Sequence, residues 1–249
     1  MPLAIFSDTH GNLSALDAAL EDMKKFGVTE FFCLGDVANF GPTPKETLQR
    51  VRDLDCPVVM GNTDAYLLEP RTLNDVKQPG EHTEFFLEVE AWSAAQLDED
   101  DLSFVRTFAP THSLTFEGIT LLGYHGSPLS YDDQIEAITP DDTLDTYFQN
   151  AEAAVFAGGH THTQFVRRYC SSRLMNPGSV GISYVKRKGS GDFVNYAVAE
   201  YALLEVLNGE PNLTLRRVPY DLQDVFDAVE ESNMPFKERW LEGFEERPR

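Results

Sequence analysis

Cysteine is scarce in this chain, with three in 249 residues at positions 33, 56 and 170, none of them in Cys-x-x-Cys spacing. That argues against a disulfide framework and a cysteine-built zinc site, and it fits reduced thiols in a cytoplasmic protein. Basic residues are also in deficit, 20 Lys and Arg against 41 Asp and Glu, for a net charge of −21. Affinity for DNA, RNA and anionic membranes rests on cations that neutralise phosphates, so nucleic-acid polymers and membrane surfaces are poor partners. No apolar run approaches the ~20 residues a membrane span requires. Residues 1–6 are too short for a signal peptide. A small phosphorylated substrate stays compatible with the charge, because bound cations dominate the local field of a site. Nothing in the sequence speaks to oligomeric state.

What is present is an alternation of strand and helix patterns. Residues 3–6 are a short continuous apolar run, as expected for a strand buried on both faces. Leu13, Leu16, Leu20, Met23 and Phe26 recur at helical spacing and end at Gly27. Residues 30–34 predict a second strand, 44–54 a helix with Pro44 in its first turn, and 57–60 a third strand. Such alternation implies a parallel sheet with a site at the carboxyl ends of its strands. Residues 67–82 are polar and predict a surface loop. Helices are expected over 84–97, 100–108 and 144–150, and strands over 119–124 and 153–157. The last third turns β-rich, with strands expected over 165–170, 196–206 and 213–218 and a hairpin turn at Asn208-Gly209. Helices over 221–232 and 235–244 precede a frayed tail, 245–249. No repeat or linker is visible, and a single domain spanning 1–249 is the simplest organisation.

Only six histidines occur, and four lie in short blocks at the ends of apolar runs. The blocks are Asp8-Thr9-His10, Gly35-Asp36, Gly61-Asn62, Tyr124-His125-Gly126 and Gly159-His160-Thr161-His162. Residues i and i+2 of a strand share a face, so Asp8 with His10 and His160 with His162 are each expected to aim two ligands at one point. Gly35 and Gly61 allow the sharp turns that place Asp36 and Asn62 just past a strand. Four imidazoles, two carboxylates and one amide oxygen suit Mn, Fe, Co, Ni or Zn better than Ca or Mg. Seven ligands are too many for one tetrahedral ion and suit two divalent transition metal ions that share a carboxylate; manganese ranks first. His82 and His112 lie in polar surroundings and read as surface residues.

In this order, Asp8-x-His10, Gly35-Asp36, Gly61-Asn62, His125 and Gly159-His160-x-His162 resemble the calcineurin-like metallophosphoesterase superfamily, closest to its small single-domain bacterial and archaeal phosphodiesterase branch. The resemblance runs from about residue 3 to the Asn176-Pro177-Gly178-Ser179 turn. It implies an α/β fold, a four-layer α/β/β/α sandwich of two mixed sheets flanked by helices. It also implies ligand roles: Asp8, His10 and His162 on one ion, Asn62, His125 and His160 on the other, with Asp36 bridging. The implied function is a metal-dependent phosphoesterase acting on small phosphodiesters or nucleotides, with Asp36, Asn62 and His10 in the catalytic set. Two ions that share a water lower its pKa toward ~7, supply hydroxide, and offset charge in the transition state.

One position departs from the family pattern. Many members carry histidine after the Gly-Asn pair, where this chain has Thr63. A threonine hydroxyl donates a hydrogen bond but is a negligible general acid near pH 7, so weaker catalysis is expected on poor leaving groups. His10 or His82 is a candidate partial substitute. Thr63 and Phe40 are the candidate substrate-binding residues; Phe40, in the Phe40-Gly41-Pro42 rim, can stack on a base or aryl group. A phosphoprotein phosphatase ranks lower, because such enzymes normally carry that histidine and arginines around the site. A non-catalytic scaffold is the remaining alternative, and lost ligands would be its signature.

Overall fold

The computed structural model describes residues 1–76, 78–80, 82–149, 151–186 and 193–245. Its layers follow from strand alternation. In β1 (Leu3–Phe6), Ala4 and Phe6 pack on one side of the sheet while Leu3 and Ile5 pack on the other, and none is more than 1% exposed. Successive strand side chains point to opposite faces, so a fully apolar strand must be covered twice.

The chain continues through α1 (Leu13–Lys25), β2 (Glu30–Cys33), α2 (Pro44–Arg52), α3 (Asn62–Leu68), α4 (Thr83–Ala95) and α5 (Glu99–Val105). A hairpin, β3 (Thr111–Phe116) and β4 (Ile119–Tyr124), leads to α6 (Asp141–Phe148) and β5 (Val155–Ala157). Then come β6 (Phe165–Tyr169), β7 (Ser172–Asn176), β8 (Tyr184–Lys186), β9 (Phe193–Tyr196), β10 (Val198–Leu207) and β11 (Glu210–Pro219). The described chain closes with α7 (Leu222–Glu231), α8 (Lys237–Glu242) and β12 (Phe244–Glu245).

Two mixed sheets face each other. One has the order β11-β10-β1-β2, with β1 parallel to β2 and antiparallel to β10. The other has the order β3-β4-β5-β7-β6, with β4, β5 and β7 mutually parallel. Leu3, Ile5, Phe32 and Leu34 meet Leu121, Val155, Ala157 and Met175 between the sheets. Outside the first sheet, Ala4, Phe6 and Tyr201 pack with Leu16, Leu48 and Val105 of α1, α2 and α5. Outside the second, Tyr124, Phe156 and Leu174 pack with Leu144 and Phe148 of α6. This is the expected α/β fold of two mixed sheets flanked by helices. A small third sheet, β12-β9-β8, sits with α4, α7 and α8 around Val89, Val225, Trp240 and Phe244. No described helix is long and apolar enough to cross a membrane.

Several expectations need correction. Residues 57–60 form only two isolated bridges, Cys33 to Val58 and Val59 to Ala109. Pro57 has no N–H and contributes only its carbonyl, which accepts from Cys33, so the ladder stays short. The expected loop over 67–82 begins inside α3, which runs back to Asn62, and includes a 3-10 turn, Leu73–Asp75. The strand expected over 196–206 is broken at Ala197, and its two parts join different sheets. The polar hairpin strand β3 and the five-residue β7 escape the sequence reading because neither shows a clean apolar pattern. His112, on β3, is half-buried with its ring edge-on to Phe32 at 5.8 Å, rather than on the open surface. Asn150, the last residue of one expected helix, and residues 246–249 of the expected frayed tail lie outside the described residues.

Candidate metal centre

Four strand ends deliver six of the candidate ligands, and Asn62, the first residue of α3, is the seventh. Asp8 and His10 follow β1, Asp36 follows β2, His125 follows β4, and His160 and His162 follow β5. The two sheets face each other, so the carboxyl ends of β1 and β2 open toward those of β4 and β5. Backbone bonds stitch the loops together: Asp8 N–H to the Gly35 carbonyl at 2.9 Å, His10 N–H to Asp36 at 3.0 Å and Gly159 N–H to His125 at 2.9 Å.

The donors fall into two triplets, Asp8 with His10 and His162, and Asp36 with His125 and His160. Donors about 2.1 Å from one ion and 90–109° apart stand roughly 3.0–3.4 Å from each other. Asp8 Oδ1 is 3.2 Å from His162 Nε2, and His10 Nε2 is 3.1 Å from His162 Nε2. In the second group, Asp36 Oδ2 is 3.3 Å from His125 Nε2. Asn62 Oδ1 joins it, 3.2 Å from His125 Nε2 and 3.0 Å from His160 Nδ1. Asp36 Oδ2 is also 3.8 Å from His10 Nε2, which puts one carboxylate oxygen between the groups. All seven sequence-predicted ligands are therefore brought together.

The residues fit two cations. Backbone carbonyls only accept, so a ring nitrogen facing one must carry the proton. His10 Nδ1 donates to the Asn39 carbonyl at 3.1 Å, His125 Nδ1 to Leu34 at 2.8 Å and His162 Nδ1 to Ile182 at 2.7 Å. That leaves the Nε2 lone pair of each ring directed inward, the usual support behind a metal-binding histidine. In the neutral rings that ion binding requires, two such lone pairs, on His10 and His162, converge at 3.1 Å, the place of a cation; without an ion, a proton on one nitrogen bridges to the other. Asp8 Oδ1 is buried and has no hydrogen-bond partner.

Electrostatics point the same way. Burial depresses His10 to about 4, so it stays a neutral imidazole. Burial opposes protonation of His125 as well, but Asp36 and Asp8 outweigh it and hold that ring at about 10. His162 is raised by Asp8 against the same burial. Asp36 lies well below the usual carboxylate range, because His125 and His10 outweigh its desolvation.

The ligand pairs do not converge by strand alternation. Asp8, His10, Asp36, His160 and His162 all have positive φ, between 45° and 65°. They sit in left-handed turns just past the strands, a conformation costing of order 1–3 kcal/mol at a non-glycine residue and held only where the surroundings over-determine it. Gly61 also departs from expectation. Its φ is −88°, open to any residue, and what demands glycine there is space. A Cβ at 61 would stand 2.0 Å from Asp36 Oδ1.

Thr63 lies in α3 with its hydroxyl buried and unpartnered, while its backbone N–H donates to Asp36 Oδ1 at 2.9 Å. That bond leaves Asp36 Oδ2 free to face both donor groups. Asp64 was not singled out by the sequence. It is fully buried and accepts the N–H groups of Asp36 at 2.7 Å, Val37 at 2.8 Å and Gly61 at 3.0 Å. Burial and the neighbouring Asp36 carboxylate push Asp64 up to about 7, against the pull of those donors. The available signal was its place three residues after Gly61, at the start of a helix.

The site opens into a cleft of about 980 Å³ whose floor includes His10, Asp36, Asn62, Thr63, His160 and His162. Phe40 lines it, as does His82, which accepts from the Arg239 guanidinium. Arg239 is a basic residue the motifs could not reveal, since α8 reaches the cleft from near the end of the chain.

Residues 1–202 match the family model of the calcineurin-like phosphoesterase superfamily domain. Over 247 residues the chain is 26% identical to an uncharacterised protein of Methanocaldococcus jannaschii, covering 96% of this chain and 95% of that one. A metallophosphoesterase from Sphaerobacter thermophilus has a similar structure, with 25% identity, a TM-score of 0.69 and 98% of both chains covered. A hypothetical protein from Pyrococcus horikoshii shares the fold at 18% identity, with a TM-score of 0.78 over 97% of this chain and 96% of the other. Matched by its family over most of its length, and carrying that family's order of candidate ligands at the strand ends, the chain belongs to the calcineurin-like phosphoesterase superfamily.

Proposed function

We propose that the protein is a binuclear metal-dependent phosphohydrolase acting on small phosphodiesters or nucleotides. The observation that carries this reading is the shared position of Asp36 Oδ2, 3.3 Å from His125 Nε2 and 3.8 Å from His10 Nε2. Asp8, His10 and His162 would hold one divalent transition metal ion, Asn62, His125 and His160 a second, and Asp36 both. The all-nitrogen-and-oxygen donor set favours Mn, with Fe, Zn, Ni and Co as alternatives. Bound there, two such ions supply hydroxide near pH 7 and offset charge on the phosphoryl oxygens.

The chain's own residues do the positioning. Left-handed turns and Nδ1 anchors hold the donors in place, and Thr63 N–H orients Asp36. Asn62 supplies a neutral oxygen, which keeps the site less anionic than a third carboxylate would and so favours an anionic substrate. The three cysteines are unpaired, in keeping with a reducing compartment such as the cytoplasm. Metal analysis together with hydrolysis of bis-p-nitrophenyl phosphate, with and without Mn²⁺, tests the reading. Two ions per chain and Mn²⁺-dependent turnover are expected. In Asp36→Asn, the loss should exceed the roughly 10–100-fold typical of a change behind a metal ligand. Full activity in that variant would refute the bridge.

A further inference from the structure

The cleft above the metal centre is walled by aromatic rings, and each wall begins beside a histidine of the first donor group. On one side, Phe40 lies 6.1 Å from the His10 ring and edge-on to Phe86 at 5.6 Å. On the other, Tyr184 lies 5.2 Å from the His162 ring and edge-on to Phe193 at 5.1 Å. The outer rings stay open to solvent, Phe86 at 43% and Phe193 at 62% exposed. Apolar rings left exposed along a concave surface, next to a polar floor, mark a ligand surface better than a packing defect.

Phe40 is also fixed in place. Its φ of 80° lies in the left-handed region, and its backbone is clamped by Trp240 Nε1–H donating to its carbonyl at 2.7 Å. Its N–H donates to Ser93 Oγ at 3.4 Å. Strained backbone held by side chains from two other elements is typical of a ligand clamp. Arg239, whose guanidinium lies over the Phe85 ring at 5.1 Å and donates to His82, adds a polar end to the same wall.

We propose that this cleft is a subsite for the base of a nucleotide, with its phosphate on the metal floor and its ring between the Phe40–Phe86 and Tyr184–Phe193 walls. Stacking tolerates any base, so the slot selects for a planar ring and not for sequence. Arg239 and His82 offer N–H groups to the acceptor edge of the ring. The inference narrows the substrate class of the phosphohydrolase proposed above and rests on it for the placement of the phosphate.

Calorimetry on Mn²⁺-loaded protein reads the subsite without turnover when each ligand is supplied as its non-hydrolysable methylenephosphonate analogue. Adenosine 5′-monophosphate and ribose 5-phosphate share a sugar and a phosphate and differ by the base. The parent should bind the nucleotide at least tenfold more tightly. The double variant Phe86→Ala/Phe193→Ala removes two exposed rings, so it should fold normally. In it the ratio should fall below threefold, with ribose 5-phosphate affinity unchanged. Equal affinities in the parent, or a ratio that survives the double substitution, would overturn the proposal. Turnover of bis-p-nitrophenyl phosphate with no preference for the nucleotide would sink the subsite alone. A base preference without turnover of any ester would support the subsite and count against the phosphohydrolase reading.

Discussion

Asp64→Asn separates what the Asp64 carboxylate does from the space it fills. The carboxylate accepts three buried backbone N–H groups, from Asp36 at 2.7 Å, Val37 at 2.8 Å and Gly61 at 3.0 Å. Hydrogen bonds to a charged group contribute about 1.5–3 kcal/mol each. An asparagine of the same shape keeps one acceptor oxygen. Turned toward Asp36 and Gly61, as Asp64 Oδ2 is, it retains two bonds at neutral strength and leaves its own NH2 against the Val37 N–H. One lost bond and two weakened ones amount to about 3–4 kcal/mol. Relief of the repulsion from Asp36 offsets part of this, so a net loss of about 2–3 kcal/mol is expected. Urea unfolding at about pH 8.5, above the value of about 7 at which Asp64 ionises, followed by the fluorescence of Trp92 and Trp240, reads the stability. Because Asp64 grips the turn that aims Asp36, Mn²⁺ affinity should also fall by roughly 10–100-fold in calorimetry. An Asp64→Asn protein that matches the parent in both urea midpoint and Mn²⁺ affinity would refute the reasoning.

Other consequences are open to test. Gly61→Ala would set a Cβ 2.0 Å from Asp36 Oδ1 and 2.5 Å from its amide nitrogen, so it should cost at least about 1–3 kcal/mol and abolish binding of the second ion, as read by thermal melts and metal analysis. Ion binding needs neutral imidazoles, whereas Asp36 and Asp8 hold His125 protonated up to about 10 and Asp8 raises His162. Protons therefore compete with the ions at His125 below about 10, and Mn²⁺ affinity should rise with pH through neutrality. Calorimetry in two buffers of different ionisation enthalpy should show proton release at pH 7, and identical heats would count against it. Thr63→His keeps the backbone N–H that orients Asp36 and adds a titratable group at the cleft floor, so it should speed alkyl diester hydrolysis more than aryl; an equal effect on both would remove the leaving-group argument.

Periodicity and spacing alone determined a good deal of this protein. The apolar run Leu3 to Phe6, the helical spacing of Leu13, Leu16, Leu20 and Met23, and the strand ending at Cys33 are local patterns, and local sterics and burial decide them. The seven candidate ligands were legible too, because each stands at the end of such a run and the chemistry of the set is unusual. Tertiary structure decided the rest. His160 donates its N–H to Asp8 across 152 positions of sequence, and no local pattern encodes that the ends of β1 and β5 converge. Strand alternation predicted how Asp8 with His10 would point, but the strand stops first, and left-handed turns held by neighbouring backbone carbonyls aim them instead. Asp64 looks like one more acidic residue until its three buried donors are seen. The cleft depends most on distant packing: Trp240 of α8 clamps Phe40, and Arg239 beside it reaches His82. Amphipathic spacing says which face of a helix is buried, whereas what that face is buried against is settled only when the whole chain packs.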